Sequence, residues 1–351
     1  MVGAMRLRTL LGGARGAALL ISAPAAQAAS PVSARAVSFS VQNVNRSKQA
    51  CDVDGKRYTV RGHLVGRRAD LRDPQAVTLY LHGLGFGEFF WRSKAAPGYD
   101  FSAGMARRGH LSVVIDRIGY RTSGTPAGAD SCMGSQADVA HQIVQQLRSG
   151  SYRGGGSPSF AKVALAGHSA GGLIAQMATY SFGDVDALAV IAYADQGKSK
   201  VQLDAGLTST AICVEGGQRV DGRTGQRGYA LLGQTKAAAK AGFFATTPAR
   251  VFAKTFPLIT RNPCGDLSSY VAAPRTNVPN LPSIKVPVLV VQASRDALFP
   301  VPSGRRQAAL FTGSSAVTYR SLPATAHSVT TERGRGKLQR ELDAWLDRSG
   351  L

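Results

Sequence analysis

Beyond residue 29 the sequence has no run of about 18 or more apolar residues, the length a helix needs to cross a bilayer, so no spanning helix is expected there. Acidic residues are scarce: 21 Asp and Glu stand against 42 Lys and Arg, for a formal charge of +21. Aromatic residues are few, at 7%, and the cations are spread along the chain. Nucleic-acid binding calls for basic residues focused on one face, often with aromatics for stacking, so no nucleic-acid partner is expected. The basicity reads instead as charge that aids solubility, with weak attraction to an anionic cell surface. There are only four cysteines, Cys51, Cys132, Cys213 and Cys264, and none forms a Cys-x-x-Cys pair. The usual signature of a zinc site is therefore missing, and no metal is expected. No internal repeat is evident.

What is present begins with an N-terminal address. Arg6, Arg8 and Arg15 precede or flank an apolar stretch, Gly16 to Ala23, and Ala26-Gln27-Ala28 supplies small residues for cleavage. Residues 1–29 thus read as a secretory signal peptide, which makes the mature protein extracellular. No adjacent arginine pair occurs in it, which favours general secretion over the twin-arginine route. Its three arginines account for 3 of the +21, leaving +18 on the mature chain. An even cysteine count in a secreted chain predicts two disulfides. Pairing within structural regions gives Cys51–Cys132 and Cys213–Cys264.

The hydrophobic fraction, 44%, suits one large α/β domain with an insertion. Val37–Gln42 and Arg57–Val65 alternate as edge strands do. Val77–Leu81, Leu111–Ile115, Lys162–Ala166, Ala187–Ala194 and Val286–Gln292 are short apolar runs of the kind found in buried parallel strands, and Ala316–Ser321 is a final candidate. Helical spacing lies between them, at Gln136–Leu147, Ala170–Tyr180, Ser303–Phe311 and Glu332–Leu346. Alternation of this sort predicts a mostly parallel sheet with helical crossovers. It lapses between residues 195 and 283, where Gly, Thr and Pro cluster and only Thr235–Ala245 has a helical composition. From Lys198 to Lys254 that stretch has nine Lys or Arg against three acids. It reads as an inserted cap or lid.

Gly167-His168-Ser169-Ala170-Gly171 sits where a buried strand gives way to a helix. A serine hydroxyl is a weak nucleophile and must be presented to a base without crowding. A sharp strand-to-helix bend does this, and flanking glycines let strand and helix approach. Ser169 is the candidate nucleophile. The base should be a histidine, and His327, on a small-residue loop between the last strand and the last helix, is placed to reach it. His63, His110 and His141 lie on a strand, a turn and a helix, and His168 is expected to point elsewhere. An acid should orient the base. Asp296 follows the Val286–Gln292 strand and keeps the chain order Ser, Asp, His. Asp195, after the Ala187–Ala194 strand, is the competitor, while Asp116 precedes Ser169 and breaks the order. His82-Gly83-Leu84-Gly85 follows another inner strand; the Leu84 and Ala170 N–H groups are assigned to an oxyanion hole, with His82 in a structural role.

These motifs, together with Asp116-Arg-Ile-Gly119-Tyr-Arg-Thr-Ser123-Gly and Ser294-Arg-Asp296 to Pro300, resemble the α/β-hydrolase superfamily over roughly residues 57–194 and 284–346. The resemblance implies an eight-stranded, mostly parallel sheet under a cap, with core segments 30–194 and 284–351 enclosing the insertion at 195–283. The His-Gly-Gly-Gly motif of some esterase branches is absent. The expected activity is cleavage of a small-molecule or lipid carboxylic ester through an acyl-enzyme, with no metal or organic cofactor. Phe86, Phe89, Phe90 and Trp91 either line an acyl site or pack the core. An amidase, a peptidase or an acyltransferase on the same three residues is the enzymatic alternative, and a non-catalytic binding protein the alternative outside catalysis.

Overall fold

Short runs of Val, Leu, Ile and Ala form the centre of the computed structural model, which describes residues 1–4, 30–232 and 235–351. The signal segment expected at 1–29 lies, beyond residue 4, outside the described residues. In chain order the strands are β1 (Val32–Gln42), β2 (Arg57–Arg67), β3 (Ala76–Leu81), β4 (Ser112–Asp116), β5 (Arg153–Gly154), β6 (Lys162–His168), β7 (Ala187–Ile191), β8 (Tyr229–Ala230), β9 (Asn262–Pro263), β10 (Val288–Ala293) and β11 (Val317–Leu322). All but β8 and β9 join one sheet in the order β11-β10-β7-β6-β3-β4-β2-β1-β5. The six strands from β11 to β4 are parallel, whereas β2, β1 and β5 add antiparallel at one edge. Nine strands stand where eight were expected; the ninth, β5, is a two-residue pairing on the outer side of β1.

The run of apolar residues in β4, β7 and β10 follows from their position. Each is buried along its whole length, with helices covering the sheet, so no polar face interrupts the pattern. Each Val, Leu or Ile removed from water there contributes on the order of 2 kcal/mol. The edge strand β11 buries only Leu322 fully.

The helices are α1 (Phe101–Arg107), α2 (Met133–Ser149), α3 (Ala170–Phe182), α4 (Lys200–Val214), α5 (Lys236–Gly242), α6 (Ala249–Thr255), α7 (Cys264–Asn280), α8 (Ser303–Ala309) and α9 (Arg335–Arg348). α2 buries Val139, Ile143, Val144 and Leu147 on the face the spacing indicated, and ends at Gly150 in a left-handed conformation (φ +69°) that only glycine adopts freely. α9 buries Leu338, Leu342, Trp345 and Leu346.

Between β7 and β10 the chain is less irregular than its composition suggests. It carries α4, α5, α6, α7 and the antiparallel β8–β9 ribbon. Phe243, Phe244, Phe252, Leu267 and Tyr270 from this stretch belong to the same apolar core as the sheet, so it has no separate interior. The disulfides pair Cys51 with Cys132 and Cys213 with Cys264, as expected. The second joins the end of α4 to the start of α7.

Candidate active site

At the end of β6 the chain turns into α3 within one residue. Ser169 sits at that bend with φ +54° and ψ −125°, a backbone conformation that L-residues seldom adopt and that persists only where the surroundings enforce it. The enforcement is visible on both sides. The Ser169 N–H donates to the Ile191 carbonyl, and the Ser169 carbonyl accepts from Gly172 N–H and Leu173 N–H. A Cβ at Gly167 would collide with the Gly171 carbonyl, and one at Gly171 with the Leu81 carbonyl. The flanking glycines are thus demanded by backbone contact between β6, α3 and the end of β3.

His327 is fully buried on the loop after β11. Its Nδ1 lies 2.8 Å from Asp296 Oδ2. The other carboxylate oxygen, Oδ1, accepts from the backbone N–H groups of Leu298 (2.8 Å) and Phe299 (3.1 Å). Because the carboxylate accepts, Nδ1 carries the hydrogen and Nε2 keeps a lone pair. Nε2 is buried without a hydrogen-bond partner among the described residues, so the Ser169 hydroxyl is not bonded to it in this state. Catalytic hydrogen bonds are often long before substrate binds and tighten afterwards. The imidazole is flanked by Phe243 and Phe299, with ring centroids 5.5 and 5.8 Å away.

His168 does not point away from this centre, contrary to expectation. Its ring lies 4.7 Å from that of His327, and its Nε2 donates to the His327 carbonyl at 2.8 Å. Phe90 stacks on its other side at 4.2 Å. Burial, with His327 as a smaller contributor, holds the His168 imidazole well below the usual histidine range. It is therefore neutral and adds no repulsion to a positive charge on His327. The loop bearing His327 is fastened further by Thr330, whose hydroxyl donates to the Phe90 carbonyl, and by Ser328 N–H, which donates to the Phe243 carbonyl. Glu332 closes the loop by accepting from Thr247, its carboxyl pushed up to about 7 by burial.

The turn after β3 meets the bend from the opposite side. A Cβ on Gly83 would lie 2.9 Å from Ser169 Cβ. His82 brackets this turn: its Nε2 accepts from Arg117 N–H at 3.0 Å and its Nδ1 donates to the Gly83 carbonyl at 2.8 Å. Burial and the Arg117 charge hold His82 well below its usual range, which suits that neutral tautomer. Ala170 opens α3, so its N–H is a first-turn donor with no carbonyl one turn earlier in the helix. Leu84 precedes Gly85, and the stretch between β7 and β10 grips Gly85. Its N–H donates to Asn262 Oδ1 at 2.5 Å, and its carbonyl accepts from Thr260 N–H at 3.0 Å.

Asn262 is buried, and its side-chain nitrogen donates to the Ala230 carbonyl at 3.1 Å. Nothing in the sequence marks it, because its partners come from β8 and from a turn 177 residues earlier. Replacing Asn262 with Ala strands the Gly85 N–H, while the Ala230 carbonyl keeps the backbone N–H of residue 262 in the β8–β9 ladder. The expected cost is about 1–3 kcal/mol for the buried group left unpaired. A lowered denaturant midpoint at unchanged slope checks this.

The other sequence candidates have different work. Asp195 accepts from Tyr193, Asn277 and Gln307 side chains and makes no bond to His327. Asp116 accepts from Glu88 N–H and from Thr122, tying two loops together. Phe86, Phe90 and Trp91 are core residues; of the aromatic group only Phe89 is partly exposed, beneath the Arg121 guanidinium. At the opposite edge of the sheet His110, Asp343 and Asp347 bring three ligand atoms together, but Arg108 shares Asp343, and the group reads as an ion-paired cluster.

A bend that presents a serine, an imidazole fixed by a carboxylate and a turn pinned beside the serine form one constellation at the carboxyl ends of parallel strands. Known proteins with this framework exist. The thermophilic esterase from Thermogutta terrifontis matches with TM-score 0.60 at 16% identity, over 89% of this chain and 99% of that one. Rv0554 from Mycobacterium tuberculosis matches with TM-score 0.59 at 16% identity, over 88% and 97%. A monoacylglycerol lipase from Paleococcus ferrophilus matches with TM-score 0.54 at 17% identity, over 78% and 94%. No curated protein matches the sequence. The sequence model of the alpha/beta hydrolase family matches residues 79–336, most of the chain, and the protein therefore belongs to the alpha/beta hydrolase family.

Proposed function

We propose that the protein is a secreted serine hydrolase that cleaves carboxylic esters, lipid esters among them, through Ser169, His327 and Asp296. The observation that carries this reading is the buried His327 imidazole, fixed by Asp296 at 2.8 Å and left with an unpartnered Nε2 beside the strained Ser169 bend. In the first step Ser169 Oγ attacks the ester carbonyl carbon while His327 Nε2 takes its proton. Charge developing on the carbonyl oxygen is met by the Leu84 and Ala170 N–H groups. His327 returns the proton to the departing alkoxide, leaving an acyl-enzyme. Water then attacks the acyl carbon with His327 again as base, releasing the acid and restoring Ser169. The aspartate holds the tautomer and balances the imidazolium.

The low identities carry the fold alone. The choice of ester rests on the constellation and on the hydrolases whose framework it shares, among them an esterase and a monoacylglycerol lipase. Secretion is supported by the N-terminal segment and by two disulfides, which persist in oxidising compartments. Among the described residues no helix is long and apolar enough to cross a membrane.

A fluorophosphonate probe tests the reading directly. Mass spectrometry of the digested adduct is expected to place one phosphonyl group on Ser169. Absence of labelling in folded protein, or labelling elsewhere with Ser169 untouched, rejects it.

A further inference from the structure

Large apolar side chains are exposed at few places among the described residues. Apart from Met1 and Val2 they are Val301, Val317 and a group on two helices between β7 and β10: Val201, Leu203, Leu207 and Val214 on α4, with Val271 on α7. Leu203, Leu207 and Val271 are 54%, 70% and 63% exposed, and all three border one cavity of about 400 Å³ between these helices. That volume lies within the range of small-molecule sites. The deeper wall is apolar as well, formed by Leu232, Leu267 and Tyr270, and includes Leu84, the residue assigned to the oxyanion hole. Through Leu84 the cavity touches the turn whose Gly83 packs against Ser169.

One cation stands in this apolar wall. Lys198 lines the cavity with its ammonium 4.7 Å above the Tyr270 ring. It donates no hydrogen bond to any described residue. The nearby Asp195 carboxylate is already taken by Tyr193, Asn277 and Gln307. A half-buried ammonium without an acceptor has given up hydration for little return. Burial accordingly draws Lys198 below the ordinary lysine range, with Asp195 opposing. An anion entering the cavity would satisfy it.

We propose that the α4–α7 cavity binds the apolar chain of an acyl substrate bearing a negative charge, with the chain against Leu84, Leu203, Leu207 and Val271 and the charge on Lys198. This deepens the ester-hydrolase reading and rests on it for the role of Leu84. It narrows the substrate class to amphipathic, anionic acyl compounds.

Binding of free decanoate, decanol and decylamine to the wild-type protein by titration calorimetry tests the proposal. These ligands hold no ester, so the readout is separate from turnover and from Ser169 labelling. Decanoate is expected to bind about tenfold or more tightly than decanol, with decylamine weaker still. Lys198→Met should bring decanoate to the level of decanol, while Lys200→Met, an equal charge change on an exposed neighbour paired with Asp204, should leave the preference intact. Gly206 lines the same cavity on α4 with open space where a Cβ would stand. Gly206→Leu suits a helix and fills the cavity, so it should weaken both decanoate and decanol by tenfold or more. Equal binding of decanoate and decanol to the wild type, loss of the preference in both lysine variants alike, or undiminished binding in Gly206→Leu would overturn the proposal.

Discussion

Ser169→Ala is expected to lower ester turnover by about 10⁶-fold in kcat, leaving only what binding and the oxyanion donors provide. The size of the effect follows from chemistry. Without the hydroxyl no acyl-enzyme forms, and water would have to attack the bound ester from a site built for a fixed nucleophile. The fold should be little affected. The bonds that define the bend use the Ser169 N–H and carbonyl, which alanine retains. Its φ of +54° costs alanine about what it costs serine, since both carry a Cβ. The thermal midpoint of Ser169→Ala should therefore lie within a few degrees of the wild type, where about 1 kcal/mol corresponds to only ~2–4 °C for a chain of this size. Chromogenic ester assays with purified variant, alongside a melting curve, decide the matter. Turnover equal to wild type in a clean preparation would remove Ser169 from the mechanism.

How much of this was legible in the sequence depends on the range of the interactions concerned. The Ser169 bend was legible because the backbone demand is local: Gly167 and Gly171 are needed by contacts around the serine itself. The parallel strands were legible because burial on both faces writes an uninterrupted apolar run into β4, β7 and β10. The stretch between β7 and β10 was harder to read for opposite reasons in its two long helices. α4 exposes Val201, Leu203, Leu207 and Val214, so its apolar residues do not mark a single inward face. α7 contains Pro274 and Pro279, which signal a break where the chain remains helical. His168 was misjudged because its partner is a backbone carbonyl 159 residues away, and no side-chain pattern announces such a bond. Asn262 was invisible for the same reason. The sequence could order Asp195 and Asp296 as candidates but could not separate them, since both follow buried strands on the same sheet edge.

Their hydrogen bonds separate them, and a pair of isosteric variants turns that difference into an outcome. Asp296→Asn is expected to lower kcat by about 10⁴-fold with little loss of stability. Oδ1 of Asp296 accepts from Leu298 and Phe299 N–H, so the asparagine oxygen is held there and its NH₂ is turned towards His327. An NH₂ donates to Nδ1 and forces the hydrogen of the neutral imidazole onto Nε2. The nitrogen that should take the Ser169 proton then has no lone pair for it. Asp195→Asn should do the reverse. Asp195 accepts from Tyr193 through Oδ1 and from both Asn277 and Gln307 through Oδ2, so one orientation of the amide sets its NH₂ against two donors and the other, in which NH₂ donates to the Tyr193 oxygen, leaves the buried Tyr193 O–H without an acceptor. A loss of about 1–3 kcal/mol in stability is expected, with kcat per folded molecule changed by no more than about twofold. Steady-state kinetics normalised to the concentration of folded protein, together with denaturant melts, read both quantities for each variant. A collapse of kcat in Asp195→Asn beside near-normal turnover in Asp296→Asn would transfer the orienting role to the other strand end.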